Sequence, residues 1–315
     1  MHFSIVKINP KDANPSHGFD DVILPLYHAL RRLNFDVELL FNRVNVKSRN
    51  IVFGSCIAPR RTGRVLPGGS IIFNLEQLQA GSDWRNTDYM AHLRDFTVWD
   101  YSLANTRELA AAGITDVTHI PPGYVPEMTR LGQNCPQDVG VLFYGRVSDR
   151  RNDIVRRLLA KGAHVLVPEM AFGNLRDALL ARARMVLNVH QFIPAQLEIV
   201  RLGYVWANKK PVLSERGADS EIPEHLREAC AFVSYDDIPE AATALLADAP
   251  RLAGLAQAGF EAFASRPLAQ TLEKIVGKRV FGGKRPTPPD NPIGKEWLVT
   301  RETAGGSASA EYAAI

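Results

Sequence analysis

Three cysteines, Cys56, Cys135 and Cys230, are odd in number and far apart in a chain of 315 residues. They exclude a disulfide frame and predict buried thiols in a reducing compartment, with a cytoplasmic location as the expectation that follows. No Cys-x-x-Cys occurs, and the eight histidines form no ligand pair at helical spacing, so no metal centre is offered. A Gly-x-Gly-x-x-Gly after the first strand is missing, which argues against ordinary NAD or FAD binding by that route. Walker A loop and Gly-x-Ser-x-Gly elbow are missing too. So is any Asp-x-Asp, the carboxylate pair that clamps a metal–diphosphate. No apolar run reaches the roughly 18–20 residues of a spanning helix. The opening MHFSIVKINP lacks a signal-peptide core and reads as a first strand. With a net charge of only +3 and no basic stripe interleaved with aromatics, nucleic acid is not an expected partner.

What is present is a 46% hydrophobic chain long enough for two domains of ordinary size. Its organising stretch is 185–215, MVLNVHQFIPAQLEIVRLGYVWANKKPVLSE. The run 185–189 is short, apolar and β-branched, hence a strand. A helix is predicted over 197–208, with Glu198 and Arg201 three apart on one face. Lys209 and Lys210 suit its C-terminus, Pro211 stops it, and Val212 opens the next buried strand. Strand–helix–strand of this length makes a parallel βαβ unit.

The same alternation runs along the chain. Strands are predicted at 2–8, 36–41, 51–53, 71–73, 96–101 and 117–120, with helices at 19–33, 85–95 and 104–112. Pro121, Pro122, Gly123 and the polar stretch 129–138 form a candidate linker and hinge. A second series follows, with strands at 139–143, 163–167, 185–189, 212–213 and 231–235. Its helices are predicted at 149–159, 175–183, 197–208, 238–248, 249–265 and 268–280. Two βα series imply two doubly wound domains, assigned to 1–125 and 126–280, with a mobile tail over 281–315.

Parallel sheets place ligands just past their carboxyl strand ends. Polar residues gather there: Ser16, His17, Gly18, Asn74, Glu76 and Asp100 in the first half, and Tyr144, Gly145, Arg146, Glu169, His190, Ser214 and Glu215 in the second. If the two edges face one another, they share one cleft. The helix start at 197–198 adds free N–H groups and a positive dipole end suited to a phosphate.

The segments VLFYGRVSDRR, LLARARMVLNVHQF and LEIVRLGYVWANKKPVLSE, preceded by IIFNLEQL, FTVWDYSLAN and IPPGY, resemble bacterial glycosyltransferases of the GT-B fold, in the CgeB-like or family 1-like group. The resemblance covers roughly residues 70–235. It implies two Rossmann-like domains facing across a cleft, a nucleotide-sugar in the second, a glycan, lipid or protein acceptor near the first, and no catalytic metal or other cofactor. Many retaining members carry a second Glu eight positions after the first; here Trp206 stands eight positions after Glu198.

The implied chemistry asks for cations at a leaving diphosphate. Arg146 follows Gly145, where backbone can approach closely, and a planar guanidinium suits phosphate oxygens. Arg201 lies one turn into the helix bearing Glu198, and Glu198 or Glu215 can accept ribose hydroxyls. Tyr144, His190 and Ser214 complete the donor-site candidates. Each has a plainer reading: Arg146 paired with Asp149, Glu198 with Arg201 as an intrahelical bridge, Glu215 as a turn cap, His190 as a core histidine. Arg150 and Arg151 oppose the dipole of their own helix, which favours a nearby anion.

Three residues are candidates for catalytic work on the acceptor side. His17 sits in the loop after the first strand, where its ordinary pKa suits a base near neutrality. Glu76 lies just past IIFN. Asp100 sits among large apolar groups and needs a site or a polar partner, a helix cap or backbone N–H included. Trp99, Tyr101, Tyr124 and Trp206 are either stacking platforms or core. The expectation is a metal-independent sugar transferase; a non-catalytic sugar-nucleotide-binding module and a sugar-nucleotide epimerase of the same architecture are the alternatives.

Overall fold

The computed structural model describes residues 2–8, 18–57, 66–79, 81–132, 135–169, 171–191, 197–217 and 222–277. The candidate base His17 and the tail expected over 281–315 lie outside them. Among the described residues, no helix is long and apolar enough to cross a membrane.

The first half builds one sheet from β1 (His2–Lys7), β2 (Asp36–Phe41), β3 (Arg49–Phe53), β4 (Ile71–Asn74), β5 (Thr97–Asp100) and β6 (Val117–His119). Its order is β2-β1-β3-β4-β5-β6, and every pair is parallel. Helices α1 (Asp20–Arg32), α2 (Thr87–Arg94) and α3 (Leu103–Ala111) connect these strands. The second half repeats the plan with β7 (Val139–Leu142), β8 (Val165–Leu166), β9 (Ala183–Asn188), β10 (Val212–Glu215) and β11 (Ala231–Val233), again all parallel, in the order β11-β10-β9-β7-β8. Here the helices are α4 (Asp149–Ala160), α5 (Gly173–Arg182), α6 (Ile199–Ala207), α7 (Ile238–Ala247), α8 (Ala249–Ala264) and α9 (Leu268–Val276).

Parallel strands covered on both faces should read as unbroken apolar runs, and β4, β7 and β10 are buried at every position. Successive side chains then divide between the two faces. Ile5, Ile51, Phe53, Ile71, Phe73 and Trp99 enter one core, while Val6, Val52, Ile72 and Val98 enter another. The first of these cores continues into the second half through Val125, Met128, Val186, Val205, Trp206 and Phe263. Trp99 and Trp206 are therefore core residues, each no more than 1% exposed. The shared core joins the described residues of both halves into one compact unit.

Strand order reverses between β1 and β3 in the first sheet and between β7 and β9 in the second. Beyond the carboxyl ends of those pairs, neighbouring connections leave in opposite directions and open a crevice.

The chain passes between the halves twice. The first passage runs through Pro121, Pro122 and Gly123, inside the predicted hinge. The second, near Pro267, leads into α9, which packs against α1 and so returns the chain to the first half instead of closing the second. The two passages are bonded backbone to backbone: Tyr124 N–H donates to the Arg266 carbonyl at 3.0 Å, and Leu268 N–H to the Tyr124 carbonyl at 3.0 Å. Gly123 fits between them because it lacks a Cβ, which would stand 2.9 Å from both the Arg266 carbonyl oxygen and the Leu268 Cα. Backbone on both sides cannot rotate away as a side chain can. Gly123→Ala should cost about 1–3 kcal/mol by overpacking. In urea unfolding this is read as a lower midpoint at unchanged slope; an unchanged midpoint would contradict the account of the crossing.

Candidate functional site

At the carboxyl end of β7 the chain turns through Tyr144, Gly145 and Arg146. Gly145 has φ of +140°, a conformation that favours glycine. A second demand falls on the same residue: a Cβ there would lie 2.9 Å from Nη1 of Arg201. The guanidinium uses the opening to donate from Nη1 to the Tyr144 carbonyl at 3.1 Å, while Nη2 donates to Oδ1 of Asn188, the last residue of β9. One arginine on α6 thus ties together the two strands that flank the crevice.

Glu198 immediately precedes α6. Instead of capping the helix, its carboxylate faces the strand ends. Oε2 lies 3.0 Å from Nδ1 of His190 and accepts from Nδ2 of Asn188 at 3.0 Å. Oε1 accepts from Arg151 at 3.4 Å and pairs with Arg201 at 3.9 Å. Burial by itself would raise the carboxyl pKa, but the His190 hydrogen bond and the Arg201 charge outweigh it and bring it to about 2. His190 is 1% exposed, and its Nε2 has no hydrogen-bond partner among the described residues.

A cavity of about 330 Å³ opens beside this network. Tyr144, Gly145, Ala171, Phe172, Glu198 and Arg201 form its second-half wall, and Gly18, Phe19, Asp21, Leu75, Glu76 and Tyr101 its first-half wall. Phe19 and Asp21 at the start of α1, Phe172 just before α5 and Ile199 at the start of α6 all line it, so the positive dipole ends of three helices border one space. The Tyr144 hydroxyl has no partner among the described residues, although the side chain is 6% exposed. An orphan donor costs free energy unless a ligand or water meets it.

Arg176 of α5 spans the halves. Nη1 donates to both carboxylate oxygens of Asp21 on α1 at 2.6 and 2.7 Å, and the guanidinium lies 3.7 Å from the Tyr204 ring centroid. Burial opposes the arginine's charge, yet Asp21 holds it firmly cationic. On the first-half wall, Glu76 accepts a hydrogen bond from the Cys56 thiol at 3.4 Å. Burial raises its carboxyl pKa above the ordinary value, with the thiol opposing. Among the described residues, no group of three or more His, Cys, Asp or Glu is placed to hold a metal ion.

The predicted site residues are distributed unevenly. Tyr144, Gly145, Glu198, Arg201 and Glu76 meet at the cavity, and His190 stands behind Glu198. Arg146 differs from expectation: it is exposed and does not line the cavity, and its carbonyl accepts from Arg151 Nη1 at 2.7 Å. The close approach at Gly145 is made by Arg201 from another element. Glu215 also differs. It forms a two-pronged ion pair with Arg150 and accepts the His190 N–H at 3.0 Å, so its oxygens are committed to holding the β9 exit. Ser214 is fully buried and accepts from Asn188 at 3.0 Å. Asp100 is enclosed as well, accepting from Ser102 N–H at 2.8 Å and from two asparagines. That is the backbone-bonding reading of Asp100, and it keeps the carboxylate off the cavity surface.

Sequence reasoning missed Asn188, Arg176 and Asp21. Asn188 carried a signal, as the lone polar residue in the apolar run 185–189. Arg176 carried another, four residues before the buried Leu180 and so on the inward face of its helix.

No protein-family model and no curated protein matches the chain. Solved structures do. HepE of Anabaena in complex with UDP and glucose shares 11% identity at a TM-score of 0.59, over 87% of this chain and 98% of that one. WaaG, a glycosyltransferase involved in lipopolysaccharide biosynthesis, shares 12% at 0.55, over 87% and 100%. AviGT4, a glycosyltransferase involved in avilamycin A biosynthesis, shares 15% at 0.54, over 87% and 96%. At such identities the likeness is one of fold. The chain has the GT-B architecture of two Rossmann-like parallel-sheet domains.

The low Glu198 pKa fixes a pH dependence. A carboxyl at about 2 when folded, against an ordinary 4.5 when unfolded, contributes stability that is present above pH 4.5 and lost as pH falls towards 2. The full contribution is about 3 kcal/mol. Glu198→Gln should therefore be less stable than wild type at neutral pH, the gap narrowing between pH 5 and 2 in denaturant titrations. A gap independent of pH would contradict the assignment.

Proposed function

We propose that the protein is a glycosyltransferase that moves a sugar from a nucleotide-sugar to an acceptor hydroxyl of a glycan, lipid or protein without a catalytic metal. The observation that carries this reading is a cavity at the carboxyl edges of both sheets, with Arg201 and the α6 start on one wall and the half-buried carboxylate of Glu76 on the other.

In this reading the nucleoside diphosphate lies against the second half. Breaking the bond between the anomeric carbon and the diphosphate oxygen leaves its electron pair on the diphosphate. Arg201, the N–H groups that open α6 and the Tyr144 hydroxyl stabilise that charge, the role a divalent ion plays elsewhere. Glu198 stays ionised at neutral pH and holds Arg201 and His190 in place. It also accepts hydroxyls of the donor. Glu76 takes the proton of the acceptor hydroxyl as its oxygen bonds the anomeric carbon. Burial raises the basicity of Glu76 towards the range useful for that step. Walls from both halves exclude water, which limits hydrolysis of the donor.

UDP is the first probe, because HepE is described in complex with UDP and glucose. At a hundredfold excess over its Kd, UDP should stabilise the wild type by about 2.7 kcal/mol, read as a rise in Tm. Arg201→Ala should bind UDP at least about tenfold more weakly by calorimetry while staying folded. Glu76→Gln should keep UDP affinity and lose roughly two orders of magnitude or more of UDP-glucose turnover. Equal UDP affinity in wild type and Arg201→Ala would sink the donor-site assignment.

A further inference from the structure

We propose that Asn74, Asn105 and Asp100 form a buried clamp that sets the direction of the Glu76 side chain, which makes them positioning residues for the acceptor wall of the cavity. The inference rests on the transfer reading above for its functional meaning and on hydrogen-bond geometry for its content.

Glu76 sits in the short connection that follows β4, a place where backbone is ordinarily free to move. Here both of its backbone groups are held. Its N–H donates to Oδ1 of Asn74 at 3.1 Å. Its carbonyl accepts from Nδ2 of Asn74 at 3.0 Å and from Nδ2 of Asn105 at 2.8 Å. The Asn105 Oδ1 takes the Leu78 N–H at 3.0 Å, so the chain is gripped on both sides of Gln77.

The two amides are in turn fixed by Asp100, which accepts from Asn74 at 2.6 Å and from Asn105 at 3.1 and 3.2 Å. Tyr89 completes Asn74 by donating to its Oδ1 at 2.8 Å. Asn74 thereby uses all four of its hydrogen-bonding positions. Asn74, Asp100 and Asn105 are each 0% exposed. They come from the ends of two adjacent strands and from α3, three separate elements converging on one connection.

The arrangement is expensive, and the expense is informative. The Asp100 carboxylate is held by neutral donors, two asparagine amides and the Ser102 N–H. Burial raises its pKa to about 6 against the opposing pull of those donors. A carboxylate held this way is a poor contributor to stability. What it supplies is a single orientation for two amides, and through them a fixed backbone beneath Glu76. With the backbone fixed, the Glu76 side chain points into the cavity beside the Cys56 thiol, where burial raises its pKa.

Titrating the Glu76 carboxyl carbon by NMR tests the clamp directly, without an acceptor. Cys56, Tyr89 and Tyr101 are the neighbouring titratable groups, and burial raises the pKa of each, so they stay neutral across the Glu76 range. Asp100 beneath loses a donor in Asn105→Ala and in the milder Asn105→Ser, so its own carboxyl carbon is followed in the same titration and its shift is separated from that of Glu76. In wild type the Glu76 midpoint should lie above the ordinary glutamate value. Both variants should return it to the ordinary range, because the freed connection lets the carboxylate reach solvent. Asn50→Ala is the control. Asn50 is equally buried at 1% exposure and likewise bonds backbone, at Asn45 and Ser48, away from the cavity. Its loss should leave the Glu76 midpoint in place even where it lowers the Tm. A wild-type midpoint in folded Asn105→Ala or Asn105→Ser, or an equal shift in Asn50→Ala, would overturn the proposal. UDP titration of the wild type reads the transfer hypothesis separately, so the two ideas fail by different results.

Discussion

A guanidinium laid against a glycine organises the second half of the molecule. Arg201 reaches from α6 to the Tyr144 carbonyl at 3.1 Å, in space that any side chain at position 145 would fill. Held there, it bonds the end of β9 through Asn188 and lies beside Glu198. Strand order, helix start and charge all converge on that one contact. It exists because a doubly wound sheet must splay its connections at a switch point, leaving backbone carbonyls that need a donor from another element.

Charges at the cavity and behind its wall are arranged in opposed sets, with one cation in excess. Glu198 offsets Arg151 and Arg201, Asp21 offsets Arg176, and Glu215 offsets Arg150. Compared with apolar groups of the same volume, intact pairs of this kind add little net stability, although losing one partner is costly, and each pair fixes a geometry. The Arg176–Asp21 pair links α5 to α1, and a continuous apolar core lies beneath it. Two passages of chain bonded to one another complete the junction.

Much of this was legible in the sequence because the signals were local. Short β-branched runs alternating with amphipathic helices gave the sheets, the rule of carboxyl strand ends led to Tyr144, Gly145 and Glu76, and the predicted helix start led to Glu198. Pairing across long sequence separations was not legible. Nothing local tells that Glu215 meets Arg150, 65 residues earlier, or that Arg201 and not Arg146 occupies the opening at Gly145. Both arginines are equally plausible until the fold decides which element crosses which. The predicted closing helix illustrates the same limit. Its amphipathic face was visible, but its partner α1, some 240 residues upstream, was set by the second crossing. The buried network at Asp100 was visible only as a need, a carboxylate among apolar neighbours that required donors from somewhere.

The central claim is that the Gly145–Arg201 contact builds the nucleotide site. Calorimetric titration of UDP into Gly145→Ala tests it most directly, because the new Cβ displaces the Nη1 group without removing any charge. The account predicts a folded protein whose UDP affinity is lower by about tenfold or more, about 1.4 kcal/mol. Wild-type affinity in that variant would contradict it.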